Sequence, residues 1–241
     1  MILITRPRED AIDLARDLEK LNLDVHTDSI IKIKYKKPKL EFDKQSIILI
    51  TSLNAVKSLK LLNQTQRKKL RQIKFIVIGK RVSDGLKMIG INKIFLTCRD
   101  SEHLIQKINK NKTNLKISYF CSNNFSKKLV KRLQKENCEV FLNNTYSTYR
   151  KKNLLVKTSK LLVQRKIRVI TFFSVYSATS FFCAMKDSKI DRSFLNSVQF
   201  LCLSKNIATV VKKQKYQNVY WSKLPTKKSL LVSLKKIVKN Q

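Results

Sequence analysis

A chain of 241 residues with 43% hydrophobic content can bury one large core or two of about 100–150 residues each. No apolar run is long enough to span a bilayer, and Arg6, Arg8, Glu9 and Asp10 leave no room for a signal peptide, so a cytoplasmic protein is expected. Five scattered cysteines without a CxxC pair, beside isolated His26 and His103, exclude a disulfide framework and a zinc site and read as small buried hydrophobes. The formal charge of +36 would attract polyanions. It is mostly lysine dispersed along helices and accompanies abundant Asn and Ile, which is also what mutational bias in an AT-rich genome produces.

In chain order, one phrase recurs: a short β-prone apolar run, a polar break, then a helix. It opens with Ile2-Leu3-Ile4-Thr5-Arg6-Pro7, where Ala11, Leu14, Ala15 and Leu18 follow at helical spacing. Pro7 suits a first turn, and Glu9 and Asp10 suit the positive end of the helix dipole. Ile31, Ile33 and Tyr35 alternate with Lys32, Lys34 and Lys36, which predicts a half-exposed strand. Buried strands return at Ile48-Leu49-Ile50-Thr51-Ser52 and Ile76-Val77-Ile78-Gly79-Lys80, and Gly90 stands where the second of these helices should end. A capped helix is expected from Ser101-Glu102. Ser118-Tyr119-Phe120-Cys121-Ser122, Ile170-Thr171-Phe172-Phe173-Ser174 and Phe200-Leu201-Cys202-Leu203-Ser204 repeat the phrase, and Thr226 or Ser229 can cap a final helix. Parallel strands of this kind place every post-strand turn on one sheet edge, where open α/β folds bind ligands.

The two halves match each other in order. Thr5-Arg6 through Val25 aligns with Phe120-Cys121 through Val140, Ser52 with Ser174, Gly79 with Ser204 and Thr97 with Ser222. The expected fold is therefore α/β and internally duplicated. The lysine-alternating strand has its counterpart at Asn144–Arg150, and the two make a two-stranded connector dividing the chain near residues 35 and 147.

Taken together, these units resemble the uroporphyrinogen-III synthase family. The resemblance is carried by Leu3-Ile4-Thr5-Arg6-Pro7, Thr51-Ser52-x-Asn54-Ala55-Val56, Ile78-Gly79 with Gly90, and Tyr119-Phe120-Cys121-Ser122-Asn123. Tyr146 with Thr148, Thr171-Phe172-Phe173-Ser174 and Ser222-x-x-Pro225-Thr226 complete it over essentially the whole chain. It implies two Rossmann-like parallel-sheet domains joined by a two-stranded β connector. One domain would hold residues 1–30 plus 150–241 and the other 37–142, with connector strands at 31–36 and 143–149.

The implied reaction closes the linear tetrapyrrole hydroxymethylbilane into uroporphyrinogen III, inverting the last ring and losing water, with neither metal nor organic cofactor. Proximity and orientation of a flexible substrate would do most of the work, with one donor helping hydroxide leave. The resemblance assigns that donor to Tyr146, which is otherwise an aromatic packed between domains. Arg6, Ser52, Lys80, Ser83, Ser122, Ser174, Ser204 and Asn206 would bind the eight carboxylates of the substrate. Arg6 can equally pair with Glu9 or Asp10, and Ser52, Ser83 and Ser174 are ordinary helix-cap candidates. The chain departs from the family pattern at Val82, at Ser204, Asn206 and Ile207, and at Cys121-Ser122. The resemblance further implies a cytoplasmic monomer that takes its substrate in transient contact with hydroxymethylbilane synthase, with no membrane and no specific nucleic acid as partner.

Two other readings compete. A non-catalytic nucleic-acid-binding protein would use the charge, but no recognition module or aromatic stacking platform is present. A two-domain small-molecule binder of the periplasmic type would be expected to carry an export signal. A nucleotide enzyme is excluded by the absence of GxGxxG and GxxxxGK[ST] loops in a chain with three glycines.

Overall fold

The computed structural model describes residues 1–40, 46–111 and 114–239. The chain divides into two compact units, Met1–Lys32 with Tyr149–Gln241, and Ile33–Thr148. The first segment forms β1 (Ile2–Ile4), α1 (Arg8–Glu19) and β2 (Val25–Thr27). Next come β3 (Ile31–Tyr35), β4 (Ile47–Ile50), α2 (Leu53–Ser58), α3 (Gln64–Arg71), β5 (Lys74–Ile78), α4 (Lys80–Met88) and β6 (Ile94–Cys98). They are followed by α5 (Ser101–Asn111), β7 (Lys116–Ser122), α6 (Lys127–Lys135) and β8 (Glu139–Arg150). The return segment holds α7 (Val156–Val163), β9 (Val169–Phe172), α8 (Val175–Asp187), β10 (Gln199–Cys202), α9 (Lys205–Lys212), β11 (Val219–Trp221) and α10 (Lys227–Lys239).

In the first unit the strand order is β11-β10-β9-β1-β2. All the pairings are parallel, with Leu3 opposite both His26 and Ile170. The central strands β10, β9 and β1 are almost wholly buried because both faces are covered, whereas the edge strands β2 and β11 are partly exposed. Leu3, Ile170, Phe172 and Phe200 pack beneath Phe181 and Ala178 of α8 and Ala208 of α9. On the other face Ile2, Ile4 and Leu201 meet Leu14 and Leu18 of α1 and Leu230 and Leu234 of α10. Residues 3.6 apart on the helices and alternating on the strands thus close two cores around one sheet.

The second unit has strand order β3-β8-β7-β4-β5-β6. Ile48, Ile50 and Phe120 face Val56, Leu70 and Leu86, whereas Leu49, Ile117 and Tyr119 face Leu104, Leu129 and Leu133. Strand β3 lies at the sheet edge and has the alternating exposure that its lysines predict. Lys36 N–H donates to the Thr145 carbonyl at 2.8 Å.

Local signals act as read in most places. Helix α4 ends in a Schellman motif: Gly90 has φ of 79°, its N–H reaches the Lys87 carbonyl, and Ile91 N–H reaches that of Leu86. Thr226 caps α10, accepting from Ser229 N–H at 3.2 Å. Helix α5 starts at Ser101 as expected, and Asp100 caps it, accepting from His103 N–H at 2.8 Å. Among the described residues no helix is long and apolar enough to cross a membrane.

Candidate functional site

Every parallel strand ends in a turn on the same sheet edge of its unit. In the first unit that edge carries Thr5-Arg6, Asp28-Ser29, Phe173-Ser174, Leu203-Ser204 and Ser222. Thr5 and Thr171, both fully buried, stitch β1 to β9 just below it. Thr5 Oγ1 donates to the Thr171 carbonyl at 2.7 Å, and Thr171 Oγ1 to that of Leu3 at 3.1 Å.

Arg6 is held rigidly above these hydroxyls. Its guanidinium lies 3.2 Å from the Asp10 carboxylate and 4.3 Å from the Phe173 ring centroid, and the side chain is 13% exposed. The ion pair with Asp10 that the sequence left open is therefore made; the side chain of Glu9 lies outside the described ones. Ser29 Oγ fixes the Arg6 carbonyl from the other side at 2.8 Å.

Asp28 is fully buried, and its carboxylate accepts from Leu155 N–H and Thr158 Oγ1, each at 2.8 Å, with Lys151 Nζ at 3.3 Å. It ties the end of β2 to the start of α7. His26 Nε2 lies 2.8 Å from the same Thr158 hydroxyl, which already donates to Asp28, so His26 donates there. Burial holds its pKa below the ordinary histidine value, helped by Lys157.

In the second unit the edge carries Thr51-Ser52, Gly79-Lys80, Arg99-Asp100, Ser122-Asn123 and Tyr146–Thr148. Two tyrosines approach it with opposite environments. Tyr119 is 3% exposed, its hydroxyl lies 3.0 Å from Thr51 Oγ1, and burial pushes its pKa up to about 12 against that hydrogen bond. Tyr146 has its ring in the apolar cluster of Ile50, Phe120 and Val56 and is 8% exposed. Its hydroxyl makes no hydrogen bond among the described residues, yet it is not among the oxygens sealed from solvent. Tyr119 is a structural phenol; Tyr146 presents an unengaged one.

The predicted serines separate into four kinds. Ser52 and Ser174 cap their own helices: Ser52 accepts from Asn54 N–H at 3.2 Å, and Ser174 forms a reciprocal capping box with Ser177. Ser122, buried at the end of β7, accepts from Asn124 N–H at 3.1 Å. Ser204 stands at the N-cap of α9 without a side-chain cap bond. The cap role expected for Ser83 is not realised. It lies inside the first turn of α4 and is buried, because Gly79 occupies the cap with φ of 95° and sets the helix one turn earlier. Val82 likewise packs inward, so that departure from the family pattern serves the core.

Helix α1, and with it α4 and α9, which follow β5 and β10, begin without a side-chain cap bond from the N-cap residue. Lys80 and Asn206 are exposed in those first turns. Such helix ends attract carboxylates through free N–H groups and the helix dipole. Sequence reading did not single out Asn123 and Asn124, which bond Thr148 beyond Tyr146; an Asn pair directly after a strand is the signal that marks them.

Four of the five thiols are shielded by burial. Cys98, Cys121, Cys138 and Cys202 are buried and Cys183 half-buried, and all are free. Burial pushes Cys121 up to about 11 and Cys202 up to about 12. Among the described residues no group of three or more His, Cys, Asp or Glu side chains could hold a metal.

A search of curated protein sequences gives no match. Solved structures share the fold, two of them as follows. Uroporphyrinogen-III synthetase from Helicobacter pylori superposes with a TM-score of 0.70 at 17% identity, covering 98% of each chain. A mutant uroporphyrinogen III synthase from the extremely thermophilic bacterium Thermus thermophilus gives 0.66 at 13% identity, covering 100% of this chain and 99% of that one. The family described as HEM4, uroporphyrinogen-III synthase HemD, matches residues 12–232. The chain thus belongs to the uroporphyrinogen-III synthase family, lyases that act on hydroxymethylbilane in tetrapyrrole biosynthesis.

Proposed function

We propose that, in converting hydroxymethylbilane to uroporphyrinogen III, the enzyme uses Tyr146 as the donor that releases the substrate hydroxyl as water. The pyrrole nitrogen adjoining the hydroxymethyl group pushes electrons as the C–O bond breaks, leaving an azafulvene-type electrophile. The substituted carbon of the last ring attacks it to give a spiro centre. The bond from that carbon to the methylene of the preceding ring then breaks, and the released methylene is captured by the unsubstituted α-carbon of the last ring. Loss of the hydrogen there restores aromaticity and returns the proton equivalent given up by Tyr146. The pyrrole supplies the driving electrons, so the protein's part is orientation and one proton.

The acetate and propionate groups bind at post-strand turns. The free amides at the starts of α4 and α9, beside Gly79-Lys80 and Ser204-Asn206, take carboxylates most directly. Arg6, pre-set by Asp10 and Phe173, and Ser122 supply further contacts, whereas Ser52 and Ser174 contribute through amides of helices they already cap. Ser83, buried within α4, acts only through packing. The protein works as a cytoplasmic monomer fed by transient contact with hydroxymethylbilane synthase, without metal, organic cofactor or nucleic acid.

The observation that carries the Tyr146 role is its contrast with Tyr119: a buried ring with an unengaged hydroxyl beside one whose hydroxyl is already bonded. The test couples purified protein to hydroxymethylbilane synthase and porphobilinogen, oxidises the products and separates type I from type III isomers. Type III product is expected with wild type. Tyr146→Phe should lower kcat by about 10²-fold, in the range of a lost acid catalyst, with folding intact. Unchanged turnover removes Tyr146 from the mechanism.

A further inference from the structure

Strand β8 gains one residue just before Tyr146. Cys121 of β7 lies opposite Asn144, but the next residue, Ser122, lies opposite Tyr146, so Thr145 is a β-bulge. Side chains alternate along a regular strand, so Asn143 and Tyr146 would point to opposite faces. The extra residue returns Tyr146 to the face of Phe120, where its ring packs. A bulge also interrupts the ladder: β3 still pairs one edge of β8, but the edge facing β7 needs other partners beyond Ser122. Upstream, Thr145 is pinned by Lys36 N–H at 2.8 Å, and its own hydroxyl lies 3.5 Å from the Cys121 carbonyl. Downstream, an amide side chain takes over the work of a strand. Asn123 Oδ1 accepts from Thr148 N–H at 2.9 Å, and its Nδ2 reaches the Thr148 carbonyl at 3.4 Å. Asn124 Nδ2 adds a bond to Thr148 Oγ1 at 2.9 Å.

We propose that Asn123 is a positioning residue for Tyr146, clamping β8 beyond the bulge so that the phenol is held in one direction. The inference rests on Tyr146 being the proton donor. A donor misplaced by even an ångström loses much of its effect, while carboxylate binding elsewhere is untouched. Asn123→Ala should therefore lower kcat about tenfold and leave KM within about twofold. Asn123→Asp keeps the acceptor for Thr148 N–H but sets its second oxygen against the Thr148 carbonyl, so it should restore only part of that loss.

The deciding measurement is a double-mutant cycle in the type III assay. In a Tyr146→Phe background Asn123→Ala should cost nothing further, because the group it positions is gone. Ser126→Ala serves as the structural control. It removes the cap of α6 in the same turn, which accepts from Leu129 N–H at 3.2 Å, and should lower the melting temperature without lowering kcat. Equal losses of kcat in both backgrounds, or an equal loss from Ser126→Ala, would overturn the positioning role while leaving Tyr146 as donor. If Asn123→Ala does not fold, Asn123→Leu, which keeps the volume but loses both bonds to Thr148, runs through the same cycle, and additivity there has the same meaning. A Tyr146→Phe enzyme with full kcat would sink the donor assignment and the clamp together.

Discussion

Tyr146 and Tyr119 differ in what surrounds the oxygen rather than in residue type. Tyr119 is bonded within the protein and is buried to the point where its phenol cannot ionise in the neutral range. Removing its hydroxyl should act on stability: Tyr119→Phe is expected to cost about 1 kcal/mol in denaturant unfolding and to leave the type III yield unchanged. The cysteines follow the same logic, since thiolate formation controls reactivity and burial opposes it. Native protein treated with a disulfide reagent at about pH 8 should show fast reaction at Cys183 alone, with the buried Cys98, Cys121, Cys138 and Cys202 following only on denaturation. Rapid modification of Cys121 or Cys202 would contradict the burial assigned to them. His26 gives a pH signature. Its folded pKa lies below the unfolded value near 6.5, so the unfolded chain binds the extra proton and stability falls as pH drops through that value. In His26→Gln the decline in melting temperature between about pH 7 and pH 5 should be shallower.

Among the helices, the N-termini at the sheet edges divide labour. Helices α2 and α8 satisfy their own amides through Ser52 and Ser174, while α4 and α9 leave theirs to whatever approaches. Ser174→Ala should destabilise the protein by about 1 kcal/mol, whereas Ser204→Ala, which loses no cap bond, should stay within about 0.5 kcal/mol. Chemical denaturation of the two variants side by side checks the contrast, and equal losses would mean that Ser204 caps α9 after all. Gly79 belongs to the same scale. A Cβ there would meet nothing within 4 Å, so its requirement is the backbone conformation at φ of 95°, which sets the angle at which α4 leaves β5.

Across the whole molecule, 52 basic against 16 acidic residues leave most cations without a carboxylate partner. A polycarboxylate substrate is drawn by that field whatever the origin of the lysines. Raising salt from about 0.1 to about 1 M shortens the screening length from roughly 10 to roughly 3 Å, so KM should rise while kcat holds. A flat KM across that range would confine substrate electrostatics to the few groups in contact. The strands, their order along the chain and most helix ends could be read directly, because apolar runs, 3.6-residue spacing and residues such as Gly90 and Thr226 act over a few neighbours. The family likewise followed from the order of those units. What only the tertiary structure decided lies in contacts between distant segments: Ser83 turned into the core, Asp28 holding α7, and Asn123 fastened to Thr148. The bulge at Thr145 is the clearest case. Which face Tyr146 occupies depends on its register against a strand more than twenty residues earlier, and a slip of one residue turns every side chain beyond it to the opposite face.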